Sequence, residues 1–556
     1  MRWAVLAVVV TGVLWTIPGG FALAQATSSS DRQVSTTAAP ASGTYWPGWL
    51  GPKRNGWVDD FRPPKQWPSK LKKSWQVKVG TGYGSPLVAG DRVYQHARQG
   101  EDEVLWCFDL KTGDVKWRKS YPAPFKIGGG GDYHGKGPKS SPVMADGRIF
   151  TMSITGHLVA WDAASGKRIW SRDYDSRFQK SHPYWGAATS PIVDGKRVIV
   201  HFGTDERGTL VALDVATGKE IWSQGKDGPS YSSPLLVEIH GVSQVVEWNH
   251  QALVGVDAGS GKLLWEYPFP HVGSDQNMPT PSFHGGRVFL GGENRGIVGL
   301  EPQRQGEAWS VKVLWHQKKV ALDMSSAVVN DKLMYGFSHY GQGRLFCLDI
   351  KTGEVLWQGP GRTGRNVMFL AIPQHVVALI DNGQLKIVRA TGRGFRVVAT
   401  YRVAEGGTWA PPVLLNDGFL VKDKDSLTLW SLTDSKSPST AAVASGDGVA
   451  RAAGLNQQAQ AKQENQEQRK NVSRRIRVTA WFDKQFLEDG TAYRRRAEEF
   501  KDSTRSKMRV KVIQRLKALS ATSHKAASAD LDKLVDAGTI SDLRRYWIIN
   551  GFTCTT

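Results

Sequence analysis

One nine-residue phrase recurs along this chain and limits its fold more than any other feature. It reads Asp109-Leu-Lys-Thr-Gly113-Asp-Val-Lys-Trp117, then Asp162-Ala-Ala-Ser-Gly166-Lys-Arg-Ile-Trp170 and Asp214-Val-Ala-Thr-Gly218-Lys-Glu-Ile-Trp222. Two further copies are Asp257-Ala-Gly-Ser-Gly261-Lys-Leu-Leu-Trp265 and Asp349-Ile-Lys-Thr-Gly353-Glu-Val-Leu-Trp357. Each follows an apolar run such as Leu210-Val211-Ala212-Leu213. The physics is that of a hairpin: Asp accepts from the backbone N–H groups left open where one strand ends, and Gly supplies the positive φ that closes the turn. The Trp then lies on the returning strand, where it can stack on a neighbouring sheet.

A second signature precedes each phrase: Ser85-Pro86, Ser141-Pro142, Ser190-Pro191, Ser233-Pro234 and Thr280-Pro281, with weaker copies at Ser326-Ala327, Leu370-Ala371 and Pro411-Pro412. Each opens a short apolar strand, and another follows it. One unit is therefore four strands, A to D, recurring every roughly 40 to 55 residues, the spacing of propeller blades. Eight A–B–C sets are present; the last ends at Trp430 with no D strand after it, while a spare D-like strand, Ser74-Trp75-Gln76-Val77, stands before the first. The expectation is an all-β, eight-bladed β-propeller over about residues 45–432, closed by the N-terminal strand so that no sheet edge is left open in the ring.

These copies resemble the repeat of the pyrroloquinoline-quinone (PQQ)-type β-propellers, a superfamily that includes quinoprotein alcohol dehydrogenases and the outer-membrane assembly lipoprotein BamB. The chain is more similar still to exported PQQ-binding-like repeat proteins, through Trp46-Pro-Gly-Trp-Leu-Gly-Pro-Lys-Arg-Asn-Gly56, His134-Gly-Lys-Gly-Pro138, Asp275-Gln-Asn277, Tyr335-Gly-Phe-Ser-His339 and Trp409-Ala-Pro-Pro412. The resemblance implies the propeller fold. For the enzymes it also implies a disulfide between adjacent cysteines against the quinone, a Trp beneath it, a Ca²⁺ site and a catalytic Asp. Cys107 and Cys347 instead sit two residues before the repeat Asp, where other copies have Ala160, Ala212 and Gly255, and read as small packing residues. No cofactor or metal is therefore expected, with PQQ and Ca²⁺ as the alternative. Other catalytic patterns are absent: Gly130 to Lys136 has the spacing of a phosphate loop but leads into a strand, and the 13 His residues form no metal-ligand spacing.

The site-like residues fall on connectors between a D strand and the next A strand, which gather on one face around the central funnel of a propeller. The 118–140 connector brings Asp132, His134, Lys136 and Lys139; the 171–189 connector brings His182, Tyr184 and Trp185. Later connectors add Asp275, Gln276, Asn277, Asp323, Arg362, Arg365, Asn366 and Trp409. Aromatic and charged groups at a funnel mouth suit a peptide, a sugar or an anionic ligand.

Two flanking regions complete the sequence. Arg2, the apolar run from Ala4 to Ile17, the break at Pro18-Gly19-Gly20 and the small residues Ala22, Ala24 and Ala26 read as an export signal over residues 1–26, followed by a linker over 27–44. The mature chain is then expected in the periplasm or cell envelope without a membrane span. Residues 433–472 are rich in Ser, Ala and Gln and read as a linker. Residues 473–556 read as a small basic α/β module in the order β-α-α-β, weakly similar to the propeptide of subtilisin-like proteases. The net charge of +21 raises nucleic acid as a partner, but export removes the chain from most of it. The expected function is a non-catalytic exported scaffold that binds a protein or cell-envelope ligand at its funnel; the alternative is a PQQ-dependent alcohol dehydrogenase with atypical cofactor contacts.

Overall fold

The computed structural model describes residues 44–128, 131, 134–272 and 276–432, together with the short strand Arg32–Gln33, three strands of the C-terminal region and isolated positions between 514 and 537. Eight antiparallel sheets built on a four-strand plan follow one another, two of them extended to five strands by Arg32–Gln33 and Tyr45–Trp46. In blade one the strands are A Leu87–Ala89, B Arg92–Gln99, C Asp102–Asp109 and D Val115–Pro122. Blades two to seven repeat this plan from Val143–Ala145 to Val397–Arg402, and the only helix among the described residues before 433 is the single turn Asp175–Phe178. Blade eight takes A, B and C from Val413–Leu415, Gly418–Lys422 and Ser426–Ser431, and its D strand from Lys72–Lys78. Lys72 pairs with Ser431 and Lys78 with Ser426, so the strand before the first blade closes the ring.

The recurring phrase forms the predicted hairpin. In blade three, Asp214 Oδ1 accepts from the Thr217 N–H at 2.8 Å, and the Gly218 N–H returns to the Asp214 carbonyl at 2.8 Å. The repeat Trp also joins blades. The Trp170 indole of blade two lies flat against Gly218 of blade three and donates to the Val215 carbonyl at 3.1 Å. Trp75, Trp222 and Trp315 make the same donation into their next blades. Gly is required at the turn for a second reason: a Cβ on Gly218 would stand 2.7 Å from Trp170 Cδ2. Each repeat Trp faces a small residue across the C–D ladder, Ala160 opposite Trp170, Cys107 opposite Trp117 and Cys347 opposite Trp357. Both cysteines are fully buried, and burial pushes their thiols up to about 11 and about 12. Blade five departs from the pattern. It lacks the phrase and extends C and D into a long hairpin, Gly296–Gln305 with Ala308–Gln317, yet Trp315 still fills the Trp position opposite Gly299.

The Ser-Pro signature has its own physical cause. The Ser85 N–H donates to Ser141 Oγ, Ser141 to Ser190, Ser190 to Ser233, Ser233 to Thr280 and Thr280 to Ser326, at 2.9–3.3 Å. A string of hydroxyls thus ties the starts of the A strands of blades one to six together around the central channel. In blade seven the A strand runs Val367–Ile372, so Met368 takes the Ser position, two residues earlier than the sequence pattern indicates.

Residues 44–58 enter the channel from the face bearing the A–B turns. The Thr44 carbonyl accepts from Gly90, Tyr45–Trp46 pairs with Val88–Ala89 of blade one, and the Pro47 carbonyl accepts from Met144 of blade two. Trp49 Nε1 donates to Thr280 of blade five at 3.0 Å. Arg54 is buried and donates to the carbonyls of Pro191 and Pro234 in blades three and four, with burial alone pushing its guanidinium down to about 9. Gly56 and Val58 then pair with Ala371 of blade seven. This segment is a plug that spans most of the ring.

The chain divides into units 1–438 and 439–556. In the second, Arg477–Trp481 pairs with Gly551–Thr555, which pairs with Ser541–Tyr546. The expected β-α-α-β order is corrected to one early strand and two late ones. Helical positions do occur between 514 and 536. The expected export signal at 1–26 and the linker at 433–472 lie outside the described residues. Among the described residues no helix is long and apolar enough to cross a membrane.

Candidate functional site

The A strands converge on a funnel that opens to solvent on the face of the D–A connectors. Its wall follows a rule. The residue two positions before each A-strand signature lines it: Tyr83, Lys139, Ala188, Tyr231, Met278, Met324, Asn366 and Trp409, one from each connector. Deeper in, Ser190, Ser233, Thr280, Ser326 and Met368 form a collar, and Trp49 of the plug contributes from the channel. Gly131, His134 and Trp185 complete the lining among the described residues.

One side of the mouth is aromatic. The His134 and Trp409 rings meet edge to face at 4.5 Å between centroids, with Tyr83 about 6 Å from both. Across the funnel Trp185 packs on Tyr231 at 5.8 Å, and Tyr231 Oη accepts from the Trp185 N–H. Burial, then Lys139 and Arg365, hold the His134 imidazole down to about 4, so it is neutral at pH 7. Lys139 donates to the Trp185 carbonyl at 2.7 Å, and burial lowers its ammonium to about 8. It therefore remains largely charged at neutral pH. Asn366 accepts from Ser325 Oγ at 2.5 Å through Oδ1, while its buried Nδ2 has no hydrogen-bond partner. The wall thus presents aromatic faces, three thioethers, a buried cation and an unused amide donor.

Of the residues chosen from sequence, His134, Lys139, Trp185, Asn366 and Trp409 line the funnel. Asp132 and Asp275 lie outside the described residues. The others stand elsewhere on the connectors. Lys136 reaches Glu101 at 3.3 Å on the rim. His182 packs on Phe125 at 5.2 Å and is kept below its usual pKa by burial. Tyr184 is exposed, its N–H held by Asp205. Gln276 bonds His250 at 3.2 Å, and the buried Asn277 donates to the Asn249 carbonyl at 2.8 Å, fastening its own loop. Arg362 bonds Gln342, and Arg365 pairs with Asp381 at 3.3 Å; Asp323 only precedes the lining Met324. Most of these polar groups bond neighbouring loops rather than the funnel. Tyr83, Tyr231, Trp49 and the three methionines were missed, although the offset from the Ser-Pro signature marks all but Trp49 and Met368.

The quinone arrangement implied by the resemblance needs adjacent cysteines and acidic cation ligands. Cys107 and Cys347 are packed in different blades, and the described lining contains no Asp or Glu. The residues described do not fit that group. Among the described residues one His–carboxylate cluster, His157 with Asp173 and Asp175, lies away from the funnel lining and is largely exposed.

A family model described as outer membrane protein assembly factor BamB matches residues 125–359 and 245–448. The polyvinylalcohol dehydrogenase of a Sphingopyxis species is 25% identical over 417 residues, which cover 59% of this chain and 60% of that protein. BamB of Shewanella oneidensis is 24% identical over 256 residues, 44% of this chain and 60% of that one. The chain therefore spans only three-fifths of either relative. BamB of Bordetella pertussis is 24% identical over 370 residues, 63% of this chain and 84% of its own. A solved quinohemoprotein alcohol dehydrogenase from Pseudomonas putida has a TM-score of 0.50 at 14% identity, over 74% of this chain and 84% of that one, which bears on the fold alone. The matched span exceeds half of the residues and falls on the ring of blades, so the chain belongs to the PQQ-type propeller family of outer membrane protein assembly factor BamB.

Proposed function

We propose that this protein is an exported, non-catalytic propeller that holds a protein or cell-envelope ligand on its funnel face. One observation carries the reading: all eight connectors send a residue to one open funnel, and the described residues there are suited to contact rather than reaction. Several collar hydroxyls accept backbone N–H groups of the preceding blade, His134 is neutral and packed on Trp409, and thioethers give an adaptable apolar wall. The BamB relatives, named for outer membrane protein assembly, support the same reading. No cofactor is proposed. The named dehydrogenase relatives support the other reading, a quinone-dependent oxidoreductase.

The test compares ligands retained from an envelope extract by three immobilised proteins. These are the native chain, a Trp409→Ala/Tyr231→Ala funnel variant, and Lys312→Gln on an outer strand. The reading expects a ligand retained by the first and third and lost by the second. Equal retention by all three overturns it.

A further inference from the structure

The opposite face holds a second site. Between the plug and the closing strand the chain crosses beneath blade seven, where Tyr401 Oη donates to the Pro68 carbonyl at 2.8 Å. This strap, the A–B turn at residues 373–375 and Arg389 line an open groove. We propose that the groove binds an oxyanion, a carboxylate or sulfate group.

Three observations carry this. First, Trp67 lines the groove, is only 8% exposed, and its indole N–H has no hydrogen-bond partner. A buried donor is normally paired, and this one lies unpaired on a residue that lines the groove. Second, the lining is rich in donors and has no Asp or Glu to neutralise them. Lys65 and Arg389 bring two cations, and neither forms an ion pair among the described residues. Third, the guanidinium is placed. Arg389 Nη1 donates to Gln374 Oε1 at 3.1 Å, and His375 packs edge-on against Trp67 at 5.7 Å. Prolines 63, 64 and 373 form stiff walls, so little order has to be imposed when a ligand enters. Charge-assisted N–H···O⁻ bonds from a fixed guanidinium are the strong kind, and indole is a donor only. The set therefore selects an anionic acceptor over a neutral or cationic group. The groove lies on the A–B-turn face, away from the funnel, and stands or falls independently of the funnel's function.

The experiment is isothermal titration of the full chain with sodium sulfate and, in parallel, with a sulfated disaccharide, at ionic strength matched with sodium chloride. Saturable binding of either probe is expected. It should weaken about tenfold or more in Arg389→Gln/Lys65→Gln, since each charge-assisted contact is worth about that factor. It should also weaken in Trp67→Phe, and stay unchanged in Lys136→Gln on the funnel rim. Should Trp67→Phe fail to fold, the partly exposed Arg389/Lys65 pair decides alone. No saturable heat with either probe overturns the proposal, as does binding that survives the double variant.

Discussion

Replacing Gly218 by Ala tests how the blades are joined. The residue sits at φ +66°, where an L side chain costs about 1–2 kcal/mol. The new Cβ would also stand 2.7 Å from Trp170 Cδ2, inside contact distance of a ring that cannot retreat without losing its 3.1 Å bond to the Val215 carbonyl. Overpacking of this kind costs about 1–3 kcal/mol. The total is about 2–5 kcal/mol. Gly195, in the A–B turn of the same blade, is the internal reference: its φ is +56°, but no atom lies within 4 Å of its would-be Cβ. Gly195→Ala bears only the backbone cost. Urea unfolding of both variants, followed by tryptophan fluorescence and far-UV circular dichroism, should leave Gly218→Ala less stable than Gly195→Ala by about 1–3 kcal/mol. Equal losses would show that the Trp–Gly contact does not hold neighbouring blades together.

Other outcomes follow from the same contacts. Arg54→Met leaves the Pro191 and Pro234 carbonyls without their buried donor and should cost about 3 kcal/mol in urea unfolding; no loss would mean the plug is not anchored there. Burial raises the Glu103 pKa, but His96 at 3.2 Å, then the Tyr121 hydroxyl at 2.7 Å and the Ile154 N–H of blade two at 2.9 Å, outweigh it and lower the pKa. Its contribution is therefore present above the usual glutamate value of about 4.3 and is lost as pH falls through the lower folded value. Glu103→Gln should flatten the fall of melting temperature in that acid range, and an unchanged profile would refute the assignment. Deleting residues 72–78 should lower the melting temperature sharply by baring the C strand of blade eight, whereas truncation after Leu432 should barely move it. The reverse order would contradict the closure.

Much of the fold was legible because the repeat states its own physics. Asp and Gly fix the turn and Trp fixes the distance to the next blade, so counting the units and finding Trp75 without a C-strand partner of its own was enough to close the ring. Blade five was counted from Thr280-Pro281 alone, because its long hairpin replaces the Asp-x-x-x-Gly turn while keeping Trp315. The plug was invisible as structure: Arg54 reads as a surface cation until the carbonyls of two distant blades are seen around it. The funnel was half legible. Position on a connector was the right criterion, but a polar side chain there was a poor guide, since Arg362, Arg365 and Gln276 bond neighbouring loops. The wall is chosen by register, two residues before each A-strand signature, and that register selects Tyr231 and Met278 as readily as Lys139.

The central claim, that the funnel binds without catalysing, meets its most direct test in a redox assay. The purified chain is incubated with pyrroloquinoline quinone and Ca²⁺, and dye reduction is followed with a panel of primary, secondary and polymeric alcohols. The account predicts no alcohol-dependent reduction above the protein-free control, and the same result for Trp409→Ala. Robust alcohol-dependent turnover that disappears in Trp409→Ala would contradict it and assign the funnel to a quinone-dependent dehydrogenase.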